Sequence, residues 1–121
     1  MGMDVFGMNP TTTSGTYFRN NLWWWTPLWN YVSDLAEDII SDECFARGHC
    51  NDGANLNDID CIALADRLKD ELDSGNTAEY EKEFIASKEN NDKWDLPYGF
   101  SVENVREFED FLRHCGGFEI W

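Results

Sequence analysis

The chain has 121 residues, which is enough for one domain with a single hydrophobic core. Its 24 acidic and 9 basic residues give a formal net charge of −15 at pH 7, and only Asp4 and Arg19 of these lie before residue 34. Nucleic acids and anionic membranes repel such a charge, so it argues against binding to either and leaves partners with a basic surface.

The start of the chain, MGMDVFGMNP, lacks the basic residues and the apolar run of a signal peptide. The sequence also has no run of about 18 apolar residues that could span a membrane. The four cysteines therefore favour free thiols over a disulfide framework. We expect a cytoplasmic protein.

The first strand and the first helix are predicted within residues 1–47. Residues 3–6 (MDVF) predict a short strand among turn-forming residues. Thr26 is the expected N-cap of a helix, because Pro27 suits a first helical turn. An apolar stripe at helical spacing continues that helix, which should end before Gly48. The stripe consists of Leu28, Val32, Leu35 and Ile39.

Two further helices are predicted after the polar loop GHCNDGANLND. Asn57 or Asp58 should cap the first of them, and Gly75 should close it. Its apolar face is expected to contain Ile59, Ile62, Ala65, Leu68 and Leu72. The next helix should begin at Asn76 or Thr77 and, being strongly charged, lie at the surface. The segment ENNDKWDLPYG follows as a connecting loop.

The last helix is expected to begin after Ser101 as its N-cap and to end at Gly116. FEIW, the final four residues, has the alternation of a short strand. The predicted fold class is mainly α, with α+β as the open alternative. We expect a compact single domain over residues 1–121, with four helices and a short β-hairpin that pairs the two termini.

An unusual number of aromatic residues lies in YFRNNLWWWTPLWNY, residues 17–31, which holds seven of them. Trp23, Trp24 and Trp25 are consecutive, so their side chains diverge and cannot all face the core. Trp25 and Trp29 are expected to meet near the helix start. Core packing is the default interpretation, and a partner surface or a stacking pocket are the alternatives.

Arg19 is the first cation of the chain and stands beside Asn20 and Asn21. Among apolar neighbours a guanidinium needs an acidic partner, a carbonyl group or an aromatic ring. A salt bridge or a tryptophan stack is the structural interpretation, and an anion clamp is the functional one.

The second polar concentration is GHCNDG, with His49, Asn51 and Asp52. A histidine beside a carboxylate can perform acid–base chemistry, but Asn-Asp-Gly is also typical of a tight turn. No nucleophile or phosphate loop accompanies these residues, so we assign no catalytic residue. The cysteine and histidine spacings match no zinc motif, and Gly53 does not fit a calcium loop. We therefore expect no metal and no cofactor.

Two blocks of the sequence resemble a family of small, uncharacterised proteins of bacteria and phages. The first block is MGMDVFGMNP followed by YFRNNLWWWTPLWNY, and the second is GHCNDGANLNDIDCIALADRL; together they cover most of residues 1–75. Thr26 stands where this family more often has a basic residue, which weakens any shared anion site. The resemblance implies no activity.

These observations lead to three hypotheses, of which two assign a binding or catalytic function and the third is a purely structural or accessory role with no pocket. We favour a non-enzymatic, acidic protein-binding or inhibitory module, encoded by a phage or a bacterium and directed at a host partner with a basic surface. The alternative is a ligand-binding protein or enzyme with a pocket between the YFRNN-WWW and GHCNDG segments. Both functional hypotheses concern the same residues, which are Arg19, Asn20, Asn21, Trp23, Trp24, Trp25, His49, Asn51 and Asp52.

Overall fold

A computed structural model describes residues 2–50, 53–89 and 98–121. The described residues form four strands: β1 (Gly2–Gly7), β2 (Tyr17–Asn21), β3 (Asn55–Leu56) and β4 (Phe118–Ile120). They also form five helices: α1 (Leu22–Leu35), α2 (Asp42–Arg47), α3 (Asp58–Ser74), α4 (Asn76–Glu89) and α5 (Val102–His114). Most of the predicted loop ENNDKWDLPYG lies outside the described residues.

The strands form one antiparallel sheet in the order β2-β1-β4-β3. In the centre of this sheet, Val5 of β1 faces Phe18 of β2 on one side and Ile120 of β4 on the other. The mainly α fold with added β-structure is therefore confirmed. The predicted terminal hairpin is wrong in detail, because β1 and β4 are the two middle strands of a four-stranded sheet.

Helix α1 begins at Leu22, so the predicted start at Thr26 is wrong. Asn21 is the N-cap, and its side chain accepts a hydrogen bond from the Trp24 N–H at 3.1 Å. Asn21 is also the last residue of β2, so the strand leads into the helix without a loop. The three consecutive tryptophans consequently lie on the first turn of α1 and not before it.

Pro27 is tolerated inside α1 because a distant residue replaces the hydrogen bond that proline cannot make. A proline at this position leaves the carbonyl of Trp23, four residues earlier, without its helical donor. The N–H of Gly99 donates to that carbonyl at 3.2 Å. The helix can therefore continue through the proline to Leu35.

The predicted single helix up to Gly48 is in fact two helices, which explains why the described residues form five helices and not four. Helix α1 ends at Leu35, and α2 begins after Ser41. The Ser41 side chain accepts the Cys44 N–H at 3.1 Å and acts as an N-cap for α2. Helix α1 stops where Ala36 leaves the helical conformation, with φ −131° and ψ 45°.

The boundaries of α3 and α5 match the sequence prediction. Asn57 caps α3 by accepting the Asp60 N–H at 2.8 Å, and Gly75 closes it with a φ of +86°. Ser101 caps α5. One residue of the predicted α3 face is placed wrongly, because Ile59 is 80% exposed on the first turn.

A single hydrophobic core lies between the inner face of the sheet and helices α1, α3 and α5. Trp25 and Trp29 stack at 5.3 Å, which confirms their expected contact, and Phe108 of α5 meets the Trp25 ring edge-on at 5.7 Å. Helix α4 covers one side of the core with Tyr80 and Phe84, which are partly buried. It is thus less peripheral than its charge suggests.

Candidate functional site

Arg19 forms the ion pair that the structural interpretation requires. Its Nε donates to Oδ1 of Asp4 at 3.0 Å, on the neighbouring strand. The Tyr17 hydroxyl donates to the same carboxylate oxygen, and this hydrogen bond raises the pKa of Tyr17. The Arg19 guanidinium is therefore already matched by a carboxylate, and no tryptophan stacking is needed to explain its position.

Asn20 and Asn21 have structural tasks on opposite sides of β2. The Asn20 side chain exchanges two hydrogen bonds with the buried Asn104 of α5, at 3.1 and 2.9 Å. Asn21 is the N-cap of α1. Both amides therefore hold the sheet and the helices together.

The three consecutive tryptophans fall into two groups. Trp25 is fully buried, and its indole N–H donates to the carbonyl of Gly48 at 2.9 Å. Trp23 and Trp24 are each 37% exposed. The Trp23 ring lies edge-on to Tyr98 at 4.8 Å, and a Cβ atom at Gly99 would lie only 2.6 Å from the Trp24 ring. Their visible contacts therefore attach the segment before α5 to the start of α1.

His49 is half-buried against the ring of Phe45, with 5.0 Å between the ring centres. Burial lowers the pKa of His49. Asn51 and Asp52, its proposed companions, lie outside the described residues. Within residues 2–50, 53–89 and 98–121, no hydrogen bond or ion pair joins His49 to Arg19.

The YFRNN-WWW and GHCNDG segments do meet, at Gly48. A Cβ atom there would lie 2.2 Å from the Trp29 indole, and the Gly48 carbonyl accepts the Trp25 N–H. Buried tryptophan rings thus occupy the junction that the alternative hypothesis assigns to a pocket. That hypothesis stays a prediction, since two of its residues lie outside the described ranges.

Cysteine thiolates and carboxylates are side chains that could bind a metal ion. All four cysteines are free thiols, and Cys61 and Cys115 are buried. The hydrogen bond to Cys115 and burial raise the pKa of the Cys61 thiol. In the described part of the chain, no group of three or more His, Cys, Asp or Glu side chains is arranged to hold a metal ion.

An open groove of about 560 Å³ lies between α3 and α5. Its charged side chains largely neutralise one another. Arg113 contacts Glu109 at 2.7 Å and Asp66 at 3.0 Å, and Lys69 contacts Asp73 at 3.0 Å. The groove therefore presents no concentrated charge that would select a ligand.

The most distinctive surface is the solvent side of the sheet, which we call the outer sheet face. Side chains alternate along a strand, so Met3 and Val5 enter the core while Asp4 and Phe6 point outward. The register then places seven outward positions in two rows across the four strands. The outer sheet face consists of Asp4, Phe6, Tyr17, Arg19, Asn55, Glu119 and Trp121.

Three large aromatic side chains on this face are open to solvent. Phe6 is 42%, Tyr17 44% and Trp121 50% exposed. Phe6 and Tyr17 contact each other edge-on at 5.2 Å, and the Trp121 indole N–H donates to Glu119 at 3.2 Å. An antiparallel sheet commonly has one polar, solvated face, so an aromatic outer face calls for a reason.

Sequence reasoning missed this surface because it did not predict β2. The letters YFRNN do not alternate between apolar and polar residues, and the alternation of an exposed Tyr17, a buried Phe18 and an exposed Arg19 is visible only in the structure. The neighbouring Trp-Trp-Trp run was interpreted only in relation to the start of the predicted helix. Phe6 and Trp121 lay in segments that were predicted as strands, but which side of the sheet they occupy depends on the register.

Comparisons with protein-family models, with curated proteins and with solved structures found no match for this chain. Among the described residues, no helix is long and apolar enough to cross a membrane.

Proposed function

We propose that the protein is a non-enzymatic binding module that captures a protein partner with a basic surface through the outer sheet face. The observation that carries this proposal is the exposure of Phe6, Tyr17 and Trp121, between 42% and 50%, on the outer sheet face. The opposite side of the same strands forms the hydrophobic core.

Exposed aromatic residues support a contact surface because their burial by a partner would contribute favourable binding free energy. Tyrosine and tryptophan are enriched among the residues that contribute most to protein association. They present a large area with few rotatable bonds, so little conformational entropy is lost on binding. The polar residues around them, Asp4, Arg19 and Glu119, resemble the rim that surrounds the apolar centre of an interface.

The rest of the molecule supplies the charge that favours a basic partner. Helix α3 carries six acidic and two basic residues, and the whole chain carries −15. Such a field accelerates encounters with positively charged proteins and disfavours acidic ones. An inhibitor of a basic host protein is the most specific form of this proposal.

The experiment compares the protein with two variants in which serine replaces exposed apolar side chains. The double variant Phe6→Ser, Trp121→Ser alters the outer sheet face, and Ile85→Ser alters an exposed apolar residue of α4. Each is immobilised and exposed to bacterial lysate, and any retained protein is purified and its affinity measured by calorimetry. Thermal unfolding of each variant verifies that it is folded.

We expect the protein and Ile85→Ser to bind the same basic protein with equal affinity, and the double variant to bind at least about tenfold more weakly. The association should also weaken as salt increases, because screening reduces attraction between opposite charges. Equal binding by all three proteins, or binding insensitive to salt, would contradict the proposal.

A further inference from the structure

We propose that Glu119, between Phe6 and Trp121, binds a guanidinium or ammonium group of the partner, that is, an arginine or lysine side chain. This inference rests on the proposed function, because it names the chemistry that the outer sheet face recognises. It concerns one residue of that face, so it can be wrong while the proposed function is right.

The register of the sheet places an aromatic ring on two sides of Glu119. Phe6 is its direct partner across the β1–β4 pair. Trp121 follows Glu119 by two residues, so the side chains of Glu119 and Trp121 leave the sheet on the same side. Asn55 of β3 is the cross-strand partner on the other side and adds a polar amide.

The Glu119 carboxylate is held in place but is not neutralised. Its Oε2 accepts the Trp121 indole N–H at 3.2 Å, which holds the carboxylate beside the Trp121 ring. Within the described ranges no arginine, lysine or histidine forms an ion pair with Glu119, whereas Asp4 on the same face pairs with Arg19. Among the described residues, Glu119 is therefore the carboxylate of this face that has no cationic partner.

A carboxylate flanked by aromatic rings is suited to bind an organic cation. The face of an aromatic ring attracts a cation electrostatically, and tryptophan does so most strongly. A planar guanidinium can stack on a ring while it donates hydrogen bonds to a carboxylate. The charge of −15 on the chain favours the approach of such a group over a neutral or anionic one.

The first experiment uses a defined probe, the peptide acetyl-Gly-Arg-Gly-amide, and its citrulline counterpart, which has nearly the same shape but no charge. Binding is followed through the indole N–H resonance of Trp121 in ¹H–¹⁵N spectra, assigned with Trp121→Phe. We expect saturable shifts with the arginine peptide and at least fivefold weaker binding of the citrulline peptide. Equal responses to both peptides would overturn the proposal.

The variant Glu119→Gln tests the carboxylate directly. Glutamine keeps an oxygen that can accept the Trp121 N–H, so the local structure should be retained, which thermal unfolding verifies. We expect the arginine peptide to bind at least fivefold more weakly. Glu103→Gln, an exposed carboxylate of α5, is the matched control and should bind as the unaltered protein does. If both variants lost the same affinity for the arginine peptide, the effect would come from the net charge of the protein. The cation site at Glu119 would then be wrong.

The captured partner separates the two proposals. If Phe6→Ser, Trp121→Ser loses the partner and Glu119→Gln binds it unchanged, the outer sheet face is correct and the cation site is wrong. If all variants bind the partner unchanged, the proposed function itself fails at this face. Weaker binding by both variants, with Glu103→Gln unaffected, supports both.

Discussion

Two aromatic regions of this molecule share a composition and differ in burial. The buried aromatic cluster fills the core with rings whose centres lie 5.0 to 6.5 Å apart. Its members are Phe18, Trp25, Trp29, Phe108, Phe111 and Phe118. The outer sheet face carries Phe6, Tyr17 and Trp121 in contact with water. Aromatic content alone therefore does not distinguish a core from a contact surface.

The two regions are separated by single steps along the chain. Tyr17 and Phe18 are consecutive residues of β2, and alternation sends one outward and one into the core. Trp24 and Trp25 are consecutive residues of α1, and only Trp25 is buried. Position within a strand or helix thus decides whether an aromatic residue stabilises the fold or is free to bind. Substitutions in the two regions should differ accordingly.

The largest expected effect is on stability, from Trp25→Ala. Removing this ring leaves a cavity beside Trp29 and Phe108 and abolishes the hydrogen bond to the Gly48 carbonyl. Truncation of a buried tryptophan costs about 3 to 5 kcal/mol of unfolding free energy. Urea denaturation followed by circular dichroism measures this loss.

Trp121→Ala is the matched control for that comparison. Trp121 is half exposed and its ring lies against Gly53, so its truncation should reduce the unfolding free energy by about 1 to 2 kcal/mol, clearly less than the loss from Trp25→Ala. If the two substitutions destabilise the protein equally, the outer sheet face is part of the folding core. The contrast between the two aromatic regions would then be wrong.

A smaller effect on stability is expected from Asn20→Ala. This substitution extends the comparison of buried and exposed side chains from aromatic to polar residues. Loss of this side chain leaves the buried Asn104 amide without its two hydrogen bonds. An unsatisfied buried polar group costs about 1 to 3 kcal/mol. Asn55→Ala on the outer sheet face, where Asn55 is exposed, should change stability by less than about 0.5 kcal/mol.

The double variant Asn20→Ala, Asn104→Ala sharpens this result. Because each single substitution breaks the same pair of hydrogen bonds, the double variant should lose less stability than the sum of the two single losses. Strictly additive losses would show that the two amides do not depend on each other. Denaturant unfolding of the three variants under one set of conditions decides between these outcomes.

The sequence predicted well those features whose cause lies within a few residues. Asn57 and Ser101 cap their helices through hydrogen bonds to the third residue after them, and Gly75 closes α3 with a positive φ. Such signals are local, so one sequence is enough to detect them. The stacking of Trp25 on Trp29 follows from helical spacing in the same way.

The errors arose where the cause is distant along the chain. Pro27 suggested a helix start, but the N–H of Gly99 supplies the hydrogen bond that allows α1 to pass through it. Strand β2 is defined by pairing with β1, which an isolated five-residue segment does not reveal. Ile59 fitted the predicted apolar stripe of α3, yet it lies outside the buried face of that helix, which consists of Cys61, Leu64, Ala65 and Leu68.

The candidate site was harder to predict than the fold for the same reason. Arg19 was expected to form a salt bridge or to stack on a tryptophan, but identifying Asp4 as its partner required the strand register. Glu119 and Trp121 gave no signal as a pair until the sheet placed Phe6 beside them. A binding surface made of cross-strand neighbours is visible only once the pairing is known.

The smallest expected effect concerns His49, whose ring contacts the Phe45 ring. His49 is half-buried, so its exposure lies between that of the buried aromatic cluster and that of the outer sheet face. Burial lowers its pKa, so the unfolded chain takes up a proton more readily than the folded protein. Its contribution to stability is therefore complete above pH 6.5, the ordinary value, and decreases as the pH falls towards the lower folded pKa.

The variant His49→Gln removes this titration and leaves the carboxylates unchanged. We therefore expect the unfolding free energy of the protein, minus that of the variant, to be smaller at pH 5 than at pH 7.5. Between pH 7.5 and pH 9 the difference should be constant, because His49 is neutral in both states, and this interval is the internal control. A difference that grows at pH 5 would mean that a negative charge outweighs burial at His49, and the acid–base alternative for this segment would gain support.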